Sequence, residues 1–101
     1  MQVRDKVVVV TGAGSGIGRA LCQRFAQEGA AGVVAADLNA QAASATAGPI
    51  GALAVGVDVT DQGQVDALVK AALDRFGRID LFCSNAGILQ TRGEDAGVGA
   101  E

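Results

Sequence analysis

The chain has no histidine, tryptophan or tyrosine, and its aromatic residues are limited to three phenylalanines. Without histidine, a metal centre built on clustered histidine and cysteine ligands is not expected. The apolar half of the composition consists mostly of alanine, valine and leucine. These residues suit the buried strands and closely packed helices of an α/β protein better than an antiparallel sandwich.

Cysteine is scarce as well. Cys22 and Cys83 are too few and too isolated to form a disulfide framework, and neither belongs to a CxxC pair. We expect both thiols to be reduced and to pack as small apolar side chains.

The chain also lacks a basic surface and a long apolar segment. Its net charge is −3 and its 8 basic residues are scattered, which argues against binding to nucleic acid. The valine run at residues 7–10 is far too short for the apolar core of a signal peptide or for a membrane span. The sequence therefore predicts a soluble, cytoplasmic protein that does not contact a membrane.

A glycine-rich segment, TGAGSGIG at residues 11–18, follows the valine run directly. Glycines such as Gly12, Gly16 and Gly18 permit positive φ angles and lack a Cβ atom, so backbone N–H groups can approach a pyrophosphate closely. A helix that begins here would present its positive N-terminal end to the same group. The segment therefore predicts a dinucleotide-binding loop.

Strand and helix patterns alternate along the chain. Continuous apolar runs predict strands at residues 6–11, 32–37, 52–57 and 79–84. Three helices are predicted between them. The first covers residues 16–28 and has a buried stripe of Ile17, Leu21 and Phe25. The second covers residues 39–47 and is ended by Gly48-Pro49, and the third is capped by Asp61 and has an apolar stripe from Val65 to Phe76.

Each connection is too long for a hairpin, so the strands should be parallel and joined by right-handed crossovers. We expect an α/β fold of the Rossmann type, a doubly wound parallel sheet truncated to four strands in the order 3-2-1-4. A ligand would bind outside the carboxyl ends of strands one and four. Residues 1–87 would form this domain, and residues 88–101, rich in glycine and acid, a flexible tail.

Asp37 ends the second predicted strand. A carboxylate at this place can accept hydrogen bonds from both ribose hydroxyls of an adenosine. It would repel a 2′-phosphate, and no basic residue follows closely to offset its charge, so NAD is favoured over NADP. Alternatively, Asp37 only starts a turn.

Polar residues also follow the third and fourth predicted strands. Asp58 could accept a hydrogen bond from an adenine amino group, with Val59 against the ring, or Asp58 and Asp61 could shape the turn and cap the next helix. Beside the glycine loop, the small turn Asn85-Ala86-Gly87 could contact a cofactor, or Asn85 could tie strand four to its neighbours through its side-chain amide.

Together these features resemble the short-chain dehydrogenase/reductase family, in its classical branch, over nearly the whole chain through Gly87. A kinase-type P-loop is excluded, because no lysine follows the glycines, and a methyltransferase is disfavoured, because no acid precedes them on strand one. The motifs that carry the resemblance are TGxxxGIG at residues 11–18, Asp37, Asp58-Val59-Thr60 and Asn85-Ala86-Gly87.

The resemblance implies the N-terminal, cofactor-binding part of an oxidoreductase that transfers hydride between nicotinamide and a small alcohol or carbonyl substrate. NADP-preferring relatives often carry a basic residue where this chain has Ser15 and Leu38, which again favours NAD. The implied contacts are Gly12, Ser15 and Ile17 with the pyrophosphate and its neighbouring ribose, Asp37 with Leu38 at the adenosine ribose, Asp58-Val59 at the adenine, and Asn85-Ala86-Gly87 between ribose and nicotinamide.

The family's acid–base group, a tyrosine held by a lysine, has no counterpart here, because the chain contains no tyrosine. The resemblance thus implies a partial chain that binds NAD but does not catalyse usefully. Two other interpretations stay open. The chain could be a non-catalytic nucleotide-binding or interaction module that pairs through the open edge of strand four, residues 81–84, with a full-length relative or with itself. It could also be a folded relic that binds nothing.

Overall fold

The computed structural model describes residues 2–85, in which four strands alternate with three helices. All four strands are parallel and pair in the order β3-β2-β1-β4, which confirms the predicted α/β fold and strand order. The elements are β1 (Val7–Thr11), α1 (Gly16–Gln27), β2 (Gly32–Asp37), α2 (Ala40–Ile50), β3 (Leu53–Gly56), α3 (Gln62–Phe76) and β4 (Leu81–Cys83).

The two faces of the sheet are covered by different helices. Val8 and Val10 of β1 pack with Cys22 of α1, and α2 covers the same face. Val9 points the other way and packs with Leu68 of α3. Every residue of β1 is therefore buried, and a strand buried on both faces must be apolar throughout, which accounts for the valine run.

Helix α1 does not bury the predicted stripe. Ile17 is 70% exposed, Leu21 and Phe25 are half-buried, and the buried residues are Gly18 and Cys22. The reason is the close approach of α1 to the end of β1, which only a residue without a Cβ atom permits. This approach turns Gly18 inward and Ile17 outward.

Helix α2 runs past its predicted end at residue 47 and includes Pro49. The residue that ends it is Gly51, which has a φ of 68° and lies in the left-handed region. Behind it the Ala52 N–H donates to the Ala47 carbonyl at 3.0 Å. Ile50 packs against the core, so tertiary contact extends the helix through a proline that lacks one N–H donor.

Side chains cap the first turns of α2 and α3, and the cap at Asp61 is one predicted from the sequence. The Asn39 side chain accepts from the Ala42 N–H at the start of α2, and the Asp61 side chain accepts from the Gln64 N–H at the start of α3. Gly77 ends α3 in the left-handed conformation. No helix within residues 2–85 is long and apolar enough to cross a membrane.

At the amino end of the sheet, Asp80 joins β4 to β1. Its Oδ2 accepts from the Val7 N–H and from Arg78 Nε, both at 2.8 Å. Arg78 also donates to the Asp5 carbonyl. The Val7 hydrogen bond, followed by that from Arg78, lowers the pKa of Asp80, so this carboxylate is charged at neutral pH and engaged by the protein itself.

Both cysteines are free and share one core. Cys22 is fully buried, and Cys83 is half-buried against the same cluster. Burial raises the pKa of Cys22 to about 11, with a smaller contribution from Cys83, and it raises the pKa of Cys83. As predicted, the thiols pack as small apolar groups, and at neutral pH they remain protonated.

Candidate functional site

The carboxyl ends of the strands open onto one groove of about 590 Å³. Seven of the residues singled out from the sequence line it, although they come from four separate segments of the chain. The lining residues are Gly12, Ser15, Asp37, Leu38, Val57, Asp58, Val59, Thr60 and Asn85.

The turn between β1 and α1 depends on its glycines. Gly12 and Gly16 have φ angles of 68° and 57°, which side chains other than glycine rarely adopt. A Cβ atom on Gly18 would lie 1.9 Å from the Gly12 carbonyl oxygen. These positions bring the first turn of α1 against the end of β1, at the border of the groove.

Two N–H groups of this turn are already engaged by β2. The Ala13 N–H donates to the Ala36 carbonyl at 2.9 Å, and the Gly14 N–H donates to Asp37 Oδ1 at 3.1 Å. They hold the turn against the neighbouring strand. The N–H groups that can face a ligand are therefore those that follow Gly14, at the start of α1.

Ser15 is the N-cap of α1, with an extended φ of −162° and no capping hydrogen bond from its side chain. The first N–H groups of a helix have no partner within it, and they carry the positive end of the helix dipole. With Ser15 lining the groove, this helix end is suited to bind an anion there. Gly16, Ile17 and Gly18 form the same first turn.

Asp37 organises the turn after β2 as well as facing the groove. Its Oδ1 accepts from the Gly14 N–H, and its Oδ2 accepts from the Asn39 N–H at 2.9 Å. The alternative role of Asp37 as a turn former is therefore present in the structure. A carboxylate has about four lone-pair sites, so two neutral N–H donors leave each oxygen able to accept from a ligand.

Asp58 forms a local turn of its own. Its Oδ1 accepts from the Thr60 N–H at 2.9 Å and from Thr60 Oγ1 at 2.6 Å. The side-chain bond from Thr60, followed by its backbone bond, lowers the pKa of Asp58, so the carboxylate is ionised. Asp58 thus shapes the turn and Asp61 caps α3, which is one of the two roles predicted for this segment.

Exposed apolar side chains stand beside these carboxylates. Leu38 is 76% exposed and Val59 is 36% exposed, and both line the groove. Val57, which also lines it, is buried. An apolar surface this exposed at the mouth of a groove can cover one or both faces of a flat ring.

Asn85 lies at the far end of the groove. Its backbone N–H donates to Thr11 Oγ1 at 3.0 Å, and that hydroxyl donates to the Cys83 carbonyl at 3.4 Å. The link between strands four and one therefore uses the backbone of Asn85, where the sequence suggested its side-chain amide. Ala86 and Gly87 lie outside the described residues.

Sequence reasoning missed two residues that support the glycine turn. Thr46 of α2 donates through Oγ1 to the Ala13 carbonyl at 2.8 Å, and it accepts from Arg19 Nε at 3.1 Å. Arg19 Nη2 donates to the Gly14 carbonyl at 2.6 Å. The one available signal was a hydroxyl within an alanine-rich helix, which no local pattern links to residues more than thirty positions earlier.

The family model for short chain dehydrogenases matches residues 6–98. The chain belongs to the short-chain dehydrogenase family. This family member is 52% identical over 91 residues to a short-chain dehydrogenase of Penicillium roqueforti, covering 81% of this chain and 33% of the relative. It is 44% identical over 90 residues to sorbitol dehydrogenase of Cereibacter sphaeroides, covering 87% and 35%.

A solved structure supports the same assignment. The 3-ketoacyl-(acyl-carrier-protein) reductase of Brucella melitensis, complexed with NADH, matches with a TM-score of 0.76 and 44% identity. The match covers 79% of this chain and 33% of the reductase. The chain therefore spans about a third of the length of these relatives.

Proposed function

We propose that this chain is the NAD-binding part of a short-chain oxidoreductase and that its groove receives the adenosine and pyrophosphate of the cofactor. The proposal rests on one observation: the N-terminus of α1, which has no side-chain cap, lies at the same groove as the carboxylates of Asp37 and Asp58. The NADH complex of the Brucella melitensis reductase, at 44% identity, supports it.

The pyrophosphate would bind at the start of α1. The N–H groups of Ala13 and Gly14 are engaged by β2, so the negative charge would be met by the N–H groups of the first helical turn and by the helix dipole. The residues proposed for this part of the site are Gly12, Ser15, Gly16, Ile17 and Gly18.

The ribose hydroxyls would donate to Asp37, with Leu38 beside the sugar. No lysine or arginine lines the part of the groove that the described residues form, and two carboxylates do. A 2′-phosphate would meet uncompensated negative charge at Asp37, and we therefore propose that NAD is preferred over NADP.

The adenine would lie at Asp58 and Val59, where Asp58 offers an ionised acceptor to the amino group and Val59 an apolar surface to the ring. Asn85, at the other end of the groove, would adjoin the part of the cofactor between ribose and nicotinamide. Ala86 and Gly87 are proposed for the same role on the family resemblance.

A bound nicotinamide cofactor would supply hydride transfer to or from an alcohol or carbonyl carbon. The chain contains no tyrosine, so the acid–base group implied by the family resemblance is not among its 101 residues. We therefore expect this chain to bind the cofactor without useful turnover. Domain limits of 1–87 and 88–101 and a cytoplasmic location belong to the same proposal.

NADH and NADPH titrations of the chain and of Asp37→Asn test the proposal. Asparagine can still accept from the Gly14 N–H through its carbonyl oxygen, so the contact with the glycine turn is kept while the charge and the bond from the Asn39 N–H are lost. Hydrogen bonds to a charged group contribute about 1.5–3 kcal/mol, so we expect NADH affinity to fall by about tenfold or more and NADPH to gain relative to NADH.

Asp66→Asn is the matched control, since this exposed carboxylate on α3 is not among the groove residues. It should leave both affinities near those of the unchanged chain. An NADH to NADPH affinity ratio that is the same in Asp37→Asn as in the unchanged chain would contradict the ribose assignment.

One observation favours a second function, self-association through β4. This strand pairs only with β1 among the described strands, and Phe82 at its centre is 40% exposed. An unpaired apolar edge is a site for pairing with another chain. Sedimentation over a concentration series should then show a dimer that Phe82→Lys removes and that Leu73→Lys, an equally exposed site on α3, retains. A monomer at the highest concentration would exclude this function.

A further inference from the structure

The side chains of Thr46 and Arg19 donate hydrogen bonds to two carbonyl groups of the glycine turn. We call the set of Arg19, Thr46 and the carbonyls of Ala13 and Gly14 the loop clasp. We infer that Thr46, acting with Arg19, is a positioning residue for the pyrophosphate site, so that a hydroxyl on α2 sets the affinity for the cofactor. The inference rests on the proposed function and assigns a role to residues that are not among those lining the groove.

The hydroxyl of Thr46 both donates and accepts a hydrogen bond. Thr46 is 2% exposed, and its Oγ1 donates to the Ala13 carbonyl at 2.8 Å while it accepts from Arg19 Nε at 3.1 Å. A buried hydroxyl without partners would be costly, so a polar residue at this place in an otherwise alanine-rich helix requires these two bonds. Thr46 thereby connects α2 to the turn and to α1.

Arg19 completes the clasp from the first turns of α1. A cation near a helix N-terminus is disfavoured by the helix dipole. The two hydrogen bonds of Arg19, to Thr46 and to the Gly14 carbonyl at 2.6 Å, offset that penalty. Thr46 holds Arg19 Nε, so the hydroxyl also determines where the guanidinium meets Gly14.

Because the peptide between Gly14 and Ser15 is planar, the loop clasp also orients an N–H group at the groove. In a trans peptide the carbonyl of one residue and the N–H of the next point in opposite directions. Because Arg19 holds the Gly14 carbonyl, the direction of the Ser15 N–H is fixed as well, and Ser15 lines the groove. The same bond keeps the partial negative charge of the Gly14 oxygen turned away from the place proposed for the pyrophosphate.

A matched pair of variants tests this role. Thr46→Val keeps the shape but removes the hydroxyl, and Thr46→Ser keeps the hydroxyl. Leaving the Ala13 carbonyl and Arg19 Nε without a partner should weaken NADH binding by about tenfold, equal to about 1.4 kcal/mol. Thr46→Ser should stay within about threefold of the unchanged chain, since it retains both bonds.

Ligands of different size distinguish a positioning role of Thr46 from a purely structural one. If the clasp acts on the pyrophosphate, Thr46→Val weakens ADP-ribose as much as NADH and leaves adenosine binding unchanged. Ala72→Gly, at a buried site on α3 in the other core, supplies the stability control. It lowers the unfolding midpoint but should leave NADH affinity as it is.

Three results would overturn the inference: wild-type NADH affinity in folded Thr46→Val, equal losses for adenosine and NADH, or weakened NADH binding in Ala72→Gly. Amide hydrogen exchange at Gly14 and Ser15 separates this inference from the proposed function. Faster exchange in Thr46→Val than in Thr46→Ser supports the clasp even if the unchanged chain binds no dinucleotide. Equal exchange rates in the two variants contradict it.

Discussion

The two ends of the parallel sheet use aspartate in opposite ways. At the amino end, Asp80 is held by a guanidinium and a backbone N–H, and it ties β4 to β1. At the carboxyl end, Asp37 receives only backbone N–H groups within residues 2–85 and faces a groove whose described lining has no cation. A carboxylate with its own cation holds the fold together, whereas one that lacks a cation stays able to bind a ligand.

The largest expected loss of stability and of NADH binding comes from placing a side chain at the contact between α1 and the end of β1. In Gly18→Ala the new methyl group would meet the Gly12 carbonyl oxygen at 1.9 Å, so the helix start must move. Overpacking of this kind costs about 3 kcal/mol, and the displaced N–H groups should abolish NADH binding. Denaturant unfolding and an NADH titration measure the two losses.

Gly48→Ala is the control for that change, because a Cβ atom at Gly48 meets nothing within 4 Å apart from its chain neighbours. Pro49 follows it in the helix, and a proline ring crowds the Cβ atom of the residue before it, so we expect this crowding to offset the usual gain from replacing a helical glycine. NADH affinity should not change. A Gly18→Ala chain that binds NADH as tightly as Gly48→Ala would show that the close approach does not position the site.

The next expected effect is at the amino end of the sheet. The pKa of Asp80 is lowered in the folded chain, so its stabilising contribution is present above the unfolded-state pKa of about 4 and is lost as pH falls through the lowered folded value. Asp80→Asn should therefore lower the unfolding midpoint at pH 7 and lessen the further loss on acidification. Thermal unfolding between neutral pH and about pH 3 measures both.

Asp74→Asn accounts for the general loss of one negative charge, since Asp74 lies on the exposed face of α3 and pairs only with Lys70 there. NADH titrations distinguish the role of Asp80 from that of Asp37. The affinity for NADH should be unchanged in folded Asp80→Asn and lower in Asp37→Asn. A fall of equal size in both variants would contradict the assignment of different roles to the two carboxylates.

What the sequence could predict follows from how local each feature is. The glycine turn follows β1 and Asp37 ends β2, as the sequence predicts. Both positions could be predicted because a buried parallel strand is a continuous apolar run, so the end of the run marks the end of the strand. Gly48-Pro49 predicts too early an end for α2, because the helix continues to Ile50, which packs against the core.

The features that sequence analysis missed are tertiary. The orientation of Ile17 depends on the contact of Gly18 with Gly12, which helical periodicity does not contain. The loop clasp joins Thr46 to Ala13, and only the packing of α2 against the turn brings them together. Long-range hydrogen bonds of this kind leave no periodic signal, whereas apolar faces do.

The contact between Gly14 and Asp37 also restricts how the proposed preference for NAD could evolve or be redesigned. An arginine at position 37, introduced to attract a 2′-phosphate, would have no acceptor for the Gly14 N–H. A larger residue at Gly14 is blocked too, because its Cβ would lie 2.6 Å from that of Ala42 and 2.9 Å from Asp37 Cγ. A switch of preference therefore has its open route through the exposed positions Ser15 and Leu38, where a basic side chain displaces nothing that supports the turn.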